Sequence, residues 1–193
     1  MDTLIYMNDT STTIQLGLLK TATFKASPNK NLRPNPLDIR LIIVHGISLP
    51  PDQFGARWID DFFLNKLDPK QHPYFQEIVD LKVSSHLLIR RDGSVTQYVP
   101  FHERAWHAGL STYAGEDNCN DFSIGIELEG SDHIAYTDVQ YEELSRCCKT
   151  LIEHYPALSK DTIAGHCDIS PGRKTDPGES FDWEKLRTLL RGL

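Results

Sequence analysis

The sequence predicts a single α/β domain built on a mixed sheet, and three stretches carry that expectation. "IRLIIVHG" (39–46) is a continuous apolar run closed by glycine, the pattern of a strand buried on both faces. "FSIGIELEG" (122–130) alternates: Ile124, Ile126 and Leu128 share one face, Gly125, Glu127 and Glu129 the other. "YTDVQYEELSRCCKTLIEHYP" (136–156) carries Tyr141, Leu144, Cys148, Leu151, Ile152 and Tyr155 as an apolar stripe at helical spacing. Strands that interleave with helices belong to α/β architecture.

Taken in order, residues 1–37 read as a polar lead-in ending in "SPNKNLRPNP", whose prolines argue against regular structure. The apolar run 39–46 follows as a strand, and "SLPPDQFG" (48–55) as a loop. "ARWIDDFFLNKL" (56–67) places aromatic and aliphatic residues at helical spacing. "SSHLLIRRDGSVTQYVP" (84–100) reads as two strands joined at Asp92-Gly93, a hairpin turn signal. In the long helix Thr137 and Gln140 form a capping box and Pro156 is the stop. "DTIAGH" (161–166) is a short strand, and "FDWEKLRTLLRG" (181–192) a last helix capped by Asp182.

The 193 residues suffice for one core, with 39% hydrophobic and 24% charged residues. A formal net charge of −7 argues against nucleic acid or an anionic membrane as the main partner. No apolar run approaches the ~18 residues of a membrane span. The first twenty residues carry no basic side chain before Lys20, unlike a secretory signal, so the expected compartment is the cytoplasm. Cys119, Cys147, Cys148 and Cys167 form no C-x-x-C pair and are expected as reduced thiols.

Two histidines directly follow apolar strands: His45 ends "LIIVH" and His166 ends "TIAGH". Strand ends are where α/β sheets place ligand-binding groups. Either histidine alone is ordinarily a hydrogen-bonded cap, but together they suit a metal, with a third ligand from Asp168, Asp176 or a cysteine. Spacing leaves the two aspartates open: Asp168 suits a continuing strand, Asp176 a chain turned back by Pro171, Gly172 and Pro177. Glu127 is a carboxylate on a core strand, costly to bury unless paired, and is a credible general base. Glu129, near the strand end, is expected in solvent. Lys174 is either a solvated loop cation or an oxyanion stabiliser. His86 and His107 read as packed imidazoles able to line a cleft.

"HGISLPPDQFG", "VSSHLLIRRDGSVTQYVPFHERAWHAGLSTYAG", "CNDFSIGIELEG", "AYTDVQYEELSRCC" and "GHCDISPGRKTDPGESFDW" together resemble the zinc N-acetylmuramoyl-L-alanine amidases, the family that includes the peptidoglycan recognition proteins. The resemblance runs from about Ile39 to Leu190, leaving 1–38 as a lead-in to an amidase domain at 39–193. It implies a central mixed sheet flanked by helices and one zinc ion held by His45, His166 and Asp176. It further implies Glu127 as acid/base, Lys174 as the oxyanion-stabilising cation, and Trp106 at the sugar side of the groove. The implied reaction is hydrolysis of the amide between the lactyl group of N-acetylmuramic acid, 1,6-anhydro form preferred, and L-alanine. Its setting would be cytoplasmic peptidoglycan recycling, by a monomer whose partner is a small muropeptide. Gly46, Lys82 and Asn118 depart from the family pattern, which commonly has asparagine, arginine and a basic residue there. A binding module without hydrolysis, or a thiol hydrolase using Cys167, are the alternatives from other classes.

Overall fold

The computed structural model describes residues 14–191. The chain opens with β1 (Ile14–Gln15), β2 (Leu18–Leu19), β3 (Thr23–Phe24), β4 (Lys30–Leu32) and β5 (Leu41–Ile47), then α1 (Trp58–Phe63) and α2 (Pro73–Ile78). Next come β6 (Leu87–Ile89), β7 (Val95–Gln97), β8 (Glu103–Ala105), β9 (Thr112–Tyr113) and β10 (Glu116–Asp117). After a 3-10 turn at Cys119–Asp121 the chain continues through β11 (Ser123–Glu129), α3 (Asp138–His154), β12 (Ile163–Gly165), α4 (His166–Ile169) and α5 (Trp183–Leu189).

Six strands form the central sheet in the order β12-β5-β11-β6-β7-β3. The β6–β7 pair is antiparallel, as the Asp92-Gly93 turn predicts, and the other pairings are parallel, so the sheet is mixed. One face packs on α3 and α5: Ile42, Val44, Ile124, Ile126 and Leu128 meet Leu144, Cys148, Leu151 and Leu186. This is the face that the alternation in "FSIGIELEG" assigned to the core. The capping box at Thr137 and Gln140 is present, and the Asp182 carboxylate accepts from the Lys185 amide. All four cysteines are unpaired thiols. No helix among the described residues is long and apolar enough to cross a membrane.

The segment before the first long strand differs from its sequence reading. Prolines flank β4 but do not interrupt it, and β4 pairs with β8 some seventy residues on. β3 closes the edge of the central sheet, and Leu19 is part of the main core. Arg33 is 4% exposed and donates to the carbonyls of Phe101, Asn120, Asp121 and Ser123 at 3.1, 3.0, 3.1 and 2.6 Å. Burial pulls its pKa down to about 10, still charged at neutral pH. A guanidinium with carbonyl partners ties distant segments by geometry, and its removal strands several buried acceptors. Arg33→Met is therefore expected to destabilise the protein by about 3 kcal/mol. In calorimetry this would lower Tm by roughly 6–12 °C. An unchanged Tm would show that those carbonyls do not depend on Arg33.

A second difference concerns Glu129. It is 2% exposed, not solvated. Its carboxylate accepts from the Gly55 amide at 2.7 Å, from the Arg90 guanidinium at 3.2 Å and from the Arg91 amide at 3.3 Å. Arg90 also reaches Asp60 on α1 at 2.9 Å, so this ion cluster fastens the 48–57 loop and α1 over the sheet.

Candidate metal centre and cleft

The register of the parallel strands builds the site. Glu127 stands opposite His45 in the β11–β5 pairing, so the two side chains are neighbours on the same face. His166 begins α4 directly after β12, which is β5's other neighbour. Beyond α4 the chain folds back: the Lys174 amide donates to the Ser170 carbonyl and the Cys167 amide to the Asp176 carbonyl. That return brings Asp176 to the histidines. Asp168 is elsewhere, its carboxylate accepting from the Gly165 amide at 2.7 Å as a cap.

Nδ1 of His45 and Nδ1 of His166 are 3.0 Å apart, and each lies close to Oδ2 of Asp176, at 3.2 and 3.1 Å. Among the described residues these three make the group able to hold a metal ion. The chemistry of the donors fits a cation. Nε2 of His166 meets the Ala108 carbonyl oxygen at 3.1 Å and the Arg173 guanidinium at 3.3 Å; a ring proton on Nε2, donated to the nearer carbonyl, leaves the Nδ1 lone pair free for a cation. Burial pulls the pKa of His45 down to about 4, against the hydrogen bond with Asp176, so this ring is neutral at neutral pH. Burial opposes ionisation of Asp176, but His166 and His45 beside it outweigh burial and hold the carboxyl well below the usual range. Two imidazole nitrogens and a carboxylate oxygen converge on one point. Two nitrogens and one carboxylate oxygen, with an open side toward the cleft, form a donor set that zinc accepts.

Glu127 borders this point. It is 8% exposed, and its Oε2 has no hydrogen-bond partner among the described residues. Burial drives its pKa well above the ordinary carboxylate value, the Asp176 charge adds to this, and Lys174 opposes it. Lys174 is exposed on the return loop and lines the same cleft, which has a volume of about 550 Å³. Trp106 lines the cleft on another side, with its indole N–H donating to Oδ1 of Asn31 at 2.7 Å. β4, within the segment read as lead-in, therefore supports the aromatic wall. The Cys167 thiol is pushed up by burial and by Asp168 and Asp176, the reverse of an activated nucleophile.

Sequence reasoning left several site residues unassigned. His107 is buried against His45, with its Nδ1 2.9 Å from His45 Nε2. Arg173 donates to the Ala108 and Leu110 carbonyls and to Ser170, tying the return loop to the loop after β8. Tyr136 donates to the carbonyl of Pro177, next to Asp176. A Cβ at Gly46 would stand 2.3 Å from the Tyr136 hydroxyl, which explains why glycine occupies the position after the first histidine. The motif segments contain these residues, but spacing alone gives them no role; Asn120, in "CND", holds the backbone after Trp106 through its side chain.

Fold and site together define an α/β protein with a metal-capable His–His–Asp centre at the carboxyl ends of parallel strands. The family model for N-acetylmuramoyl-L-alanine amidase matches residues 35–179. The 1,6-anhydro-N-acetylmuramyl-L-alanine amidase AmpD of Haemophilus influenzae is 55% identical over 178 residues, covering 92% of this chain and 97% of that protein. A crystal structure of AmpD superposes with a TM-score of 0.89 at 53% identity, covering 92% of this chain and 98% of the other. The amidase AmiD of Escherichia coli, solved with anhydro-N-acetylmuramic acid-L-Ala-D-γ-Glu-L-Lys, gives a TM-score of 0.57 at 30% identity over 79% of this chain and 57% of that one. The chain belongs to the N-acetylmuramoyl-L-alanine amidase family, in its AmpD group. An alignment of 178 residues is longer than 39–193, so the likeness reaches into the first 38 residues.

Proposed function

We propose that this protein is a zinc-dependent N-acetylmuramoyl-L-alanine amidase acting on 1,6-anhydro-muropeptides in cytoplasmic peptidoglycan recycling. The observation that carries the reading is the convergence of His45, His166 and Asp176 beside a buried Glu127 carboxyl oxygen that has no partner among the described residues. The names of the AmpD relatives and the muropeptide seen with AmiD supply the substrate class.

His45, His166 and Asp176 would hold the ion. Zinc bound there supplies Lewis acidity and lowers the pKa of a coordinated water toward ~7. Glu127 takes a proton from the attacking water as its oxygen adds to the amide carbon. Its raised pKa lets the carboxyl keep that proton and then deliver it to the leaving nitrogen. The carbon–nitrogen bond breaks, giving the lactyl carboxylate and the amine of L-alanine. Lys174 lines the cleft as the cation that stabilises negative charge on the carbonyl oxygen. Trp106, fixed by Asn31, offers a flat apolar face to the sugar. Lys82 stands where the family commonly has arginine and cannot reproduce a bidentate guanidinium clamp on a carboxylate.

Purified protein incubated with an anhydro-muropeptide should release the intact stem peptide, identified by mass. A chelator should abolish release, and added zinc should restore it. Binding without release would make the protein a recognition module, and release indifferent to chelator would remove the metal from the reaction.

A further inference from the structure

We infer that His107 is a positioning residue that keeps His45 turned with Nδ1 toward the cation site. The inference rests on the metal centre proposed above and concerns how that centre is held. His45 has two ring nitrogens. Nδ1 faces His166 and Asp176, so a lone pair is available there only if the ring proton sits on Nε2. A proton on Nε2 in a buried place needs an acceptor. The partner at hydrogen-bond distance is Nδ1 of His107, at 2.9 Å. With Nδ1 accepting, His107 carries its own proton on Nε2, which points to the Ser123 hydroxyl at 3.4 Å.

The neighbouring residue does the same for the other imidazole. Nε2 of His166 meets the carbonyl of Ala108 at 3.1 Å, with the Arg173 guanidinium at 3.3 Å. Consecutive residues therefore receive the outer nitrogens of both histidines, and this dipeptide is itself fixed. Oδ1 of Asn120 accepts from the amides of His107 and Ala108 at 3.0 and 2.8 Å. The His107 ring lies against the bare backbone of Gly125, where a Cβ would come within 2.6 Å of ring atoms. It meets the His45 ring edge-on, at 88°. The ring is thus packed on β11, the strand that carries Glu127. Outer partners of metal-binding imidazoles set tautomer and orientation, and losing one typically weakens metal affinity about 10–100-fold.

The test compares zinc affinity, by competition with a chromogenic chelator, for the unchanged protein, His107→Phe and His107→Asn. Phenylalanine keeps the ring's bulk and removes the acceptor; asparagine restores an acceptor oxygen near the place of Nδ1. The expected result is a loss of about 10–100-fold for His107→Phe and recovery of most of it in His107→Asn. The visible spectrum of the cobalt(II) form should change in the first variant and return in the second. Equal affinities for His107→Phe and the unchanged protein overturn the inference. Should His107→Phe not fold, imidazole nitrogen NMR of the unchanged, zinc-loaded protein decides. Metal on Nδ1 of His45 with a protected Nε2 proton supports the inference, and metal on Nε2 overturns it. Absence of any zinc binding overturns the inference and the proposed function together, whereas tight zinc with an indifferent His107→Phe overturns the inference alone.

Discussion

Glu127→Gln is expected to lower kcat by about 10²–10⁴-fold, the usual share of a general acid–base group. Bound zinc should be unchanged. Glutamine fills the same space on β11 and keeps the strand register with His45, but it cannot take a proton from water or hand one to the leaving nitrogen. The side chain stands beside the His–His–Asp group without belonging to it, so metal content is the control that separates loss of chemistry from loss of the site. Thermal stability supplies a second control. The buried carboxyl has an oxygen with no partner among the described residues, and burial penalises its charge. Exchanging it for a neutral amide should leave Tm equal or raise it. Turnover preserved in the variant would remove Glu127 from the reaction; turnover lost together with zinc would make it a support of the metal instead.

The elements legible in the sequence are those whose signal is local. β5 is a run of buried aliphatics, α3 carries its own capping box, and the β6–β7 hairpin announces itself by Asp92-Gly93. The two strand-end histidines could be picked out for the same reason. What the sequence hid depends on partners far away. β3 and β4 are two and three residues long and are stabilised by pairing with β7 and β8, so no periodicity could reveal them among prolines. α2 is capped by His72, whose Nδ1 accepts from the Tyr74 amide, although a histidine before proline is no customary cap. Glu129 is tolerated in the interior because Arg90 and the Gly55 amide reach it across more than thirty residues. His107 passed as a packed imidazole, which it is; that its packing partner is His45 is a fact of tertiary structure alone.

The choice between the aspartates shows the same division, and it gives the sharpest expected contrast. Asp176→Asn should weaken zinc binding by more than the ~10–100-fold that loss of an outer partner costs, because it removes the carboxylate that faces both histidines. Asp168→Asn should leave zinc affinity unchanged, since that side chain serves the Gly165 amide, and an asparagine oxygen can still accept there. Its effect on stability should stay below ~1 kcal/mol. Equilibrium dialysis with metal analysis reads both variants, and hydrolysis should follow metal content. The contrast has a backbone origin. His166 ends its strand by entering a helical turn, so the residue two places on no longer shares its face, and Asp168 is spent on capping. The Cys167 amide then bonds to the Asp176 carbonyl, which fixes the distance across the return loop and leaves the Asp176 carboxylate at the histidines. Equal zinc losses in the two variants would mean that this return loop opens in solution and that both carboxylates reach the metal.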